Sequence, residues 1–161
     1  MFPRDKDARG TGTISMAIRS SARSATRPPG SSEIRIANRI SEIARVASLV
    51  DAFGKDNNLS EHTVVALNVS LDEILNNIIS YGYDDAGPHE IMVRLARRRG
   101  KVEVVVEDDG KPFDPAVQPA PDLNAKDRLG GVGIHFVRNL TDEMEYSRVG
   151  AINHLRIAKK I

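Results

Sequence analysis

Glu73 and Asn77 stand four residues apart in the run Leu71-Asp72-Glu73-Ile74-Leu75-Asn76-Asn77-Ile78-Ile79. On a helix that spacing sets both side chains on one face, one turn apart. In an otherwise apolar segment a buried carboxylate and amide are costly unless paired or bound to a metal. A Mg²⁺ ion would provide such pairing, because it takes oxygen ligands and commonly bridges protein oxygens to nucleotide phosphates. The competing reading leaves both residues on the solvated face of an amphipathic helix. A second acidic cluster, Glu107-Asp108-Asp109-Gly110-Lys111-Pro112-Phe113-Asp114-Pro115, follows an alternating apolar run. It reads either as an ordinary turn or as a carboxylate, Asp108, placed to accept a hydrogen bond from the exocyclic amine of adenine. Gly110, lacking a Cβ, would let the backbone lie close to the base. The third feature, Gly130-Gly131-Val132-Gly133 ahead of a helical pattern, offers backbone N–H groups and a positive dipole end to an anion. Each feature alone is weak, and the three in this order are far more specific.

These residues need elements to hold them. Ile34 and Ile36 alternating against Glu33 and Arg35 predict a short strand at a sheet edge. Ile40, Ile43, Val46, Ala47, Val50 and Phe53 predict a helix with Ser41 as N-cap and Gly54 as stop, followed by a loop over Lys55-Asp56-Asn57-Asn58. Ser60 caps a longer helix with Val64, Leu67, Leu71, Ile74, Leu75 and Ile78 on one stripe, ending near Gly82. Ile91, Val93 and Leu95, then Val102, Val104 and Val106, predict a β-hairpin joined by Arg97-Arg98-Arg99-Gly100, whose charges suit a solvated turn. Lys111 to Arg128, rich in Pro, Asp and Ala, has the length of a functional lid. A helix through Ile134, Val137 and Leu140 and two strands, Met144 to Val149 and Ile152 to Ile157, turning at Gly150-Ala151, complete the order β-α-α-β-β-lid-α-β-β. The pattern fits an α+β fold, a two-layer α/β sandwich with a mixed or antiparallel sheet and helices on one face.

Composition sets the outer limits. A chain of 161 residues with 40% apolar content suits one folded domain, here expected over residues 32–161. Its 23 Lys+Arg against 22 Asp+Glu leave a charge of +1, which argues against direct nucleic-acid binding. With 0 cysteines, disulfides, thiolate metal sites and cysteine nucleophiles are excluded. His62, His89, His135 and His154 are scattered, without zinc-ligand spacing or a phospho-acceptor helix. No apolar run approaches the roughly 20 residues needed to span a bilayer, so a cytoplasmic protein without membrane contact is expected. Residues 1–31 carry six basic residues against Asp5 and Asp7 among Ser, Thr, Gly and Pro, the composition of a disordered basic tail. A transit peptide, a partner-binding arm or an unused upstream start are the other readings of that segment. Gly10-Thr11-Gly12-Thr13 lacks the strand and the Gly-Lys-Ser/Thr ending of a nucleotide loop.

From about Ser32 to Ile161 the sequence resembles the anti-sigma-factor serine kinases, small members of the GHKL ATPase superfamily. Glu73-Ile74-Leu75-Asn76-Asn77 with Tyr83 is similar to the family's asparagine box. Asp108 to Pro115 is similar to the first glycine box, and Gly130-Gly131-Val132-Gly133-Ile134 to the second. Asp142 to Tyr146 and Asn153-His154-Leu155 continue the likeness. The resemblance implies a GHKL fold and ATP bound through Asp108 at the adenine, with Gly110 beside it. It also implies Mg²⁺ held by Asn77, phosphates near Gly130, Gly131 and Gly133, and Glu73 as general base. The implied reaction is transfer of the γ-phosphoryl group to a serine of a STAS-domain anti-anti-sigma factor, with a sigma factor as a second client and homodimerisation of the kinase. Three positions depart from the family: Tyr81 replaces a histidine, Pro112 a second glycine, and Asn153 the threonine of larger GHKL ATPases. Pro112 removes a backbone donor. The alternative function is an ATP-binding regulatory clamp without phosphotransfer; retention of Glu73 favours the kinase.

Overall fold

The computed structural model describes residues 30–117 and 132–161. The expected basic tail up to residue 29, the expected lid beyond residue 117, and Gly130 and Gly131 lie outside them. Strand β1 (Ser31–Ala37) leads through a 3₁₀ turn, Ile40–Glu42, into α1 (Ile43–Asp56) and α2 (Glu61–Tyr81). Strands β2 (Glu90–Arg98) and β3 (Lys101–Asp108) form the first hairpin; α3 (Val132–Leu140) precedes the second, β4 (Glu143–Val149) and β5 (Ile152–Lys160).

The sheet order is β1-β2-β3-β5-β4, and every pairing is antiparallel. β1 and β4 are therefore the edges, and α3 carries the chain past β5 to the outer position. The Arg98–Lys101 pairing closes the first hairpin on Arg99 and Gly100 alone, so the strand takes in two of the arginines that the sequence assigns to the turn. Arg98 donates to Glu103 and Arg97 to the Asn57 carbonyl.

Register sorts the sheet into two faces. Ile34, Ile36, Ile91, Val93, Leu95, Val102, Val104, Val106, Leu155 and Ile157 share the side that packs on the helices. Val46, Val50, Phe53, Leu67, Leu71, Ile74, Leu75 and Val137 complete this core from above. The opposite face carries ion pairs across strands, including Arg35–Glu90, Arg94–Glu33 and Arg156–Glu143. Met92 and Ala158 are nonetheless buried on it, as expected where the stems of long charged side chains lie over small apolar ones.

Helix starts and stops separate local from tertiary control. Ser60 caps α2 as expected, its Oγ accepting from the Thr63 N–H at 3.2 Å, and Gly82 receives the last turn through its N–H to the Ile78 carbonyl. Ser41 caps nothing: it lies within the 3₁₀ turn, where neither flanking cap position makes a side-chain bond. Ile40 is half exposed rather than part of the core stripe.

Gly54 does not end α1, which runs on to Asp56 and so takes up half of the expected loop. It is buried inside the helix, and a Cβ there would overlap the Cγ2 of Val64 on α2. The glycine is a contact point between helices, and a β-branched neighbour cannot swing aside. In an open helix Gly to Ala stabilises by roughly 0.5–1 kcal/mol. Gly54→Ala is expected to do the reverse, costing about 1–3 kcal/mol through overpacking. Urea denaturation checks the sign, and Val64→Ala in the same chain should recover much of the loss.

Candidate functional site

α2 brings its polar residues to the site with unequal freedom. Asn76 is tied locally, its Nδ2 donating to the Asp72 carbonyl at 2.9 Å and to Asp72 Oδ2 at 3.2 Å. Asn77 and Glu73 are half buried, and among the described residues neither side chain has a hydrogen bond or ion pair. They are neither fully solvated nor sealed in the core. The Glu73 carboxylate fills the space where a side chain on Gly133 would stand. Thus α2 and the start of α3 meet through a carboxylate and a glycine, and any larger residue at 133 would displace Glu73.

The C-terminal end of α2 meets the end of β3. The Lys111 N–H donates to the Gly82 carbonyl at 2.7 Å, and a Cβ on Gly110 would stand 2.8 Å from that same oxygen. Lys111 and Asp84 pair across this junction at 2.7 Å. Among the described residues no hydrogen bond joins Asp108 to Glu73 or Gly133; α2 runs from one to the junction beside the other.

Asp108 continues the inward series of Val102, Val104 and Val106, and it is buried. Its Oδ1 accepts from the Gly110 N–H at 2.8 Å and from Asn153 Nδ2 at 2.9 Å. Burial pushes its carboxyl above the usual range, opposed by those two donors and by the charge of Arg148. Among the described residues its Oδ2 has no hydrogen-bond partner. Asn153, Arg148 and Tyr146, gathered around Asp108, are site residues that motif spacing alone does not identify. Their signal lies in strand alternation: Asn153 precedes Leu155 and Ile157 in the inward series of β5, where a polar residue needs a partner.

A second cluster lies beside Asp108. Tyr83 stacks on His89 with ring centroids 4.1 Å apart. Among the described residues the buried Tyr83 hydroxyl has no hydrogen-bond partner; burial, with the charges of Asp108 and Asp109, pushes its phenol far up. His89 Nδ1 lies 3.0 Å from Asp109 Oδ1, and Nε2 lies 3.1 Å from Asp85 Oδ1. His89 thereby clasps the 83–89 loop to the end of β3. A groove lined by Val105, Glu145, Tyr146, Ser147, His154 and Arg156 opens at β3, β4 and β5, and its lining includes neither Asp108, Asn153, Glu73 nor Asn77.

The site has the features an adenine nucleotide with Mg²⁺ would require. Asp108 Oδ2 is an unengaged acceptor, the Gly110 turn has no room for a side chain, and Asn77 and Glu73 offer unengaged hard oxygens. Gly130 and Gly131 lie outside the described residues, and of the expected phosphate loop only Gly133 is described.

The histidine kinase-like ATPase domain family matches residues 36–159, and the chain belongs to that family. Its α+β sandwich is the GHKL fold expected from the sequence. The serine/threonine-protein kinase BtrW of Bordetella bronchiseptica is 30% identical over 94 residues, covering 56% of this chain and 66% of that protein. The serine-protein kinase RsbW of Bacillus velezensis is 28% identical over 86 residues, covering 49% and 54%. The chain thus spans between about half and two thirds of the length of the curated relatives it matches. The crystal structure of the RsbU and RsbW domains of Rv1364c from Mycobacterium tuberculosis superposes with a TM-score of 0.55 at 13% identity, covering 80% of this chain and 32% of that one. That likeness concerns the fold. No helix among the described residues is long and apolar enough to cross a membrane.

The clasp makes stability depend on pH. Hydrogen bonds to Asp85 and then Asp109 raise the His89 imidazole above its ordinary 6.5, while Asp85 is held below its usual range chiefly by His89. Stability from a raised imidazole is complete below its ordinary pKa and is lost as pH rises through the folded-state value. Asp85 stays ionised across that window. His89→Asn is therefore expected to lower the Tm at about pH 6 and to leave it nearly unchanged at about pH 9. Thermal unfolding at the two pH values checks this; equal losses would exclude protonation as the cause.

Proposed function

We propose that this chain is an ATP-dependent protein-serine kinase of the anti-sigma-factor type. Its substrate is a serine on a STAS-domain anti-anti-sigma partner, and a sigma factor is its second client. The observation that carries this reading is the half-buried Glu73 carboxylate, without a partner among the described residues, lying against Gly133 one helical turn from Asn77. The named activities of BtrW and RsbW support it. In the same reading the kinase works in the cytoplasm as a homodimer.

Asp108 accepts from the adenine amine, and the Gly110 turn admits the base. Gly133 leaves room for Glu73 beside the phosphates, with Gly130 and Gly131 supplying further N–H donors. Asn77 would hold Mg²⁺ through its amide oxygen; the ion supplies neutralisation of phosphate charge when bound. Glu73 takes the proton of the serine hydroxyl as the serine oxygen bonds to the γ-phosphorus. The bond from that phosphorus to the β–γ bridging oxygen breaks, and ADP leaves. Since little covalent chemistry falls to the protein, alignment by α2 and α3 provides much of the acceleration.

Removing the base should separate binding from transfer. Glu73→Gln is expected to bind Mg-ATP nearly as the wild type does, yet to lose about 10²–10⁴-fold in phosphotransfer. Asn77→Ala is expected to lose Mg-ATP binding. Calorimetry measures the first property, and label transfer from ATP to a genomically neighbouring STAS protein measures the second. ATP binding with no transfer by the wild type would leave the regulatory clamp as the function.

A further inference from the structure

Asn153 pairs with Asp108 across β5 and β3 and is only 4% exposed. Its Nδ2 donates to Asp108 Oδ1 at 2.9 Å and to the carbonyls of Gly110 at 3.2 Å and Lys111 at 3.1 Å. Its Oδ1 accepts from the Tyr146 hydroxyl at 2.8 Å and from Arg148 Nη1. Arg148 also donates to the Gly110 carbonyl at 2.9 Å. A flipped amide would turn an oxygen toward a carboxylate and two carbonyls, and a donor toward Arg148, so one orientation alone satisfies its neighbours.

We infer that Asn153, locked by Tyr146 and Arg148, is a positioning residue for nucleotide selection. By engaging Oδ1 of Asp108 it turns Oδ2 toward the exocyclic amine of the bound base. This inference rests on the ATP-binding reading above. Asn153 and Arg148 also favour the ionised carboxylate against its burial. The ionised form is acceptor-only, whereas a protonated carboxyl would offer a donor to a base whose amine is itself a donor.

The test compares ATP with purine riboside triphosphate, which lacks the 6-amino group, by calorimetry on the full chain. Asn153→Leu keeps the size of the amide without its donor, and Asn153→Thr keeps a hydroxyl donor. Losing a hydrogen bond to a charged group corresponds to about tenfold or more in affinity. Asn153→Leu is expected to weaken ATP by about that factor and the amine-free nucleotide by less than about twofold. Its ATP affinity should fall more steeply than the wild type's as pH is lowered, because the ionised carboxylate has lost a donor. Asn153→Thr should recover part of the loss. Arg148→Met, which removes the lock at an exposed position, should show the same selectivity to a smaller degree, and it carries the test if the Leu variant does not fold. Unchanged ATP affinity, or equal weakening of both nucleotides, would overturn the role of Asn153 while leaving ATP binding by the wild type intact. Failure of the wild type to bind either nucleotide would overturn the ATP reading and this inference with it.

Discussion

One helix has to satisfy two environments at once. α2 buries Leu67, Leu71, Ile74 and Leu75 in the core, and the same 21 residues carry Glu73 and Asn77. A helix packed on one side alone would leave those polar groups in water. Here α1 approaches closely enough at Gly54 to exclude a Cβ, and α3 approaches at Gly133 with Glu73 in the gap. The approach of α3 at Gly133 leaves the Glu73 carboxylate half buried. The far end of α2 is pinned to the sheet by the Gly82–Lys111 bond, so core packing and site geometry share one rigid element.

Hydrogen bonding treats the two parts of the site differently. Around Asp108, a buried carboxylate oxygen, a buried amide and two backbone carbonyls satisfy one another. Such a network is rigid, because freeing any member would strand a buried polar atom. At Glu73 and Asn77 no such partners are present among the described residues, although the groups have lost part of their water. Partial desolvation without pairing strengthens their attraction for a ligand cation. The contrast between Asn76, spent on Asp72, and Asn77, left unengaged, shows how little separates a structural from a functional amide.

The sequence discloses what local chemistry decides. Ser60 caps α2 because its hydroxyl reaches an N–H three residues on, and alternation fixes both hairpins because period two is intrinsic to a strand. Gly110 and Gly133 stand where a side chain would meet a neighbour at close range, which is the physical reason a glycine there is legible in a sequence. Gly54 misleads, since a stop signal and a helix–helix contact look alike until the second helix is placed. Ser41 misleads because the chain enters α1 through a 3₁₀ turn that no single residue announces. Asn153 shows as a departure, but its partners are 45 residues away in sequence at Asp108 and nearby on β4. Only the strand order joins them.

That strand order also sets Asp108 apart from the helix contact that holds Glu73. Asp108, Asn153 and Arg148 form one row across β3, β5 and β4, in matching register. A sheet row moves as a unit, because sliding one strand by a residue would send every core side chain of that strand to the opposite face. Glu73 and Gly133 belong instead to a contact between two helices. The path between them runs through α2 and the Gly82–Gly110 junction, where a Cβ would come 2.8 Å from a carbonyl oxygen. In the proposed kinase, a base at Asp108 would be held by the sheet and a partner's serine would reach Glu73 at the helix contact, so the two recognition events would rest on different elements.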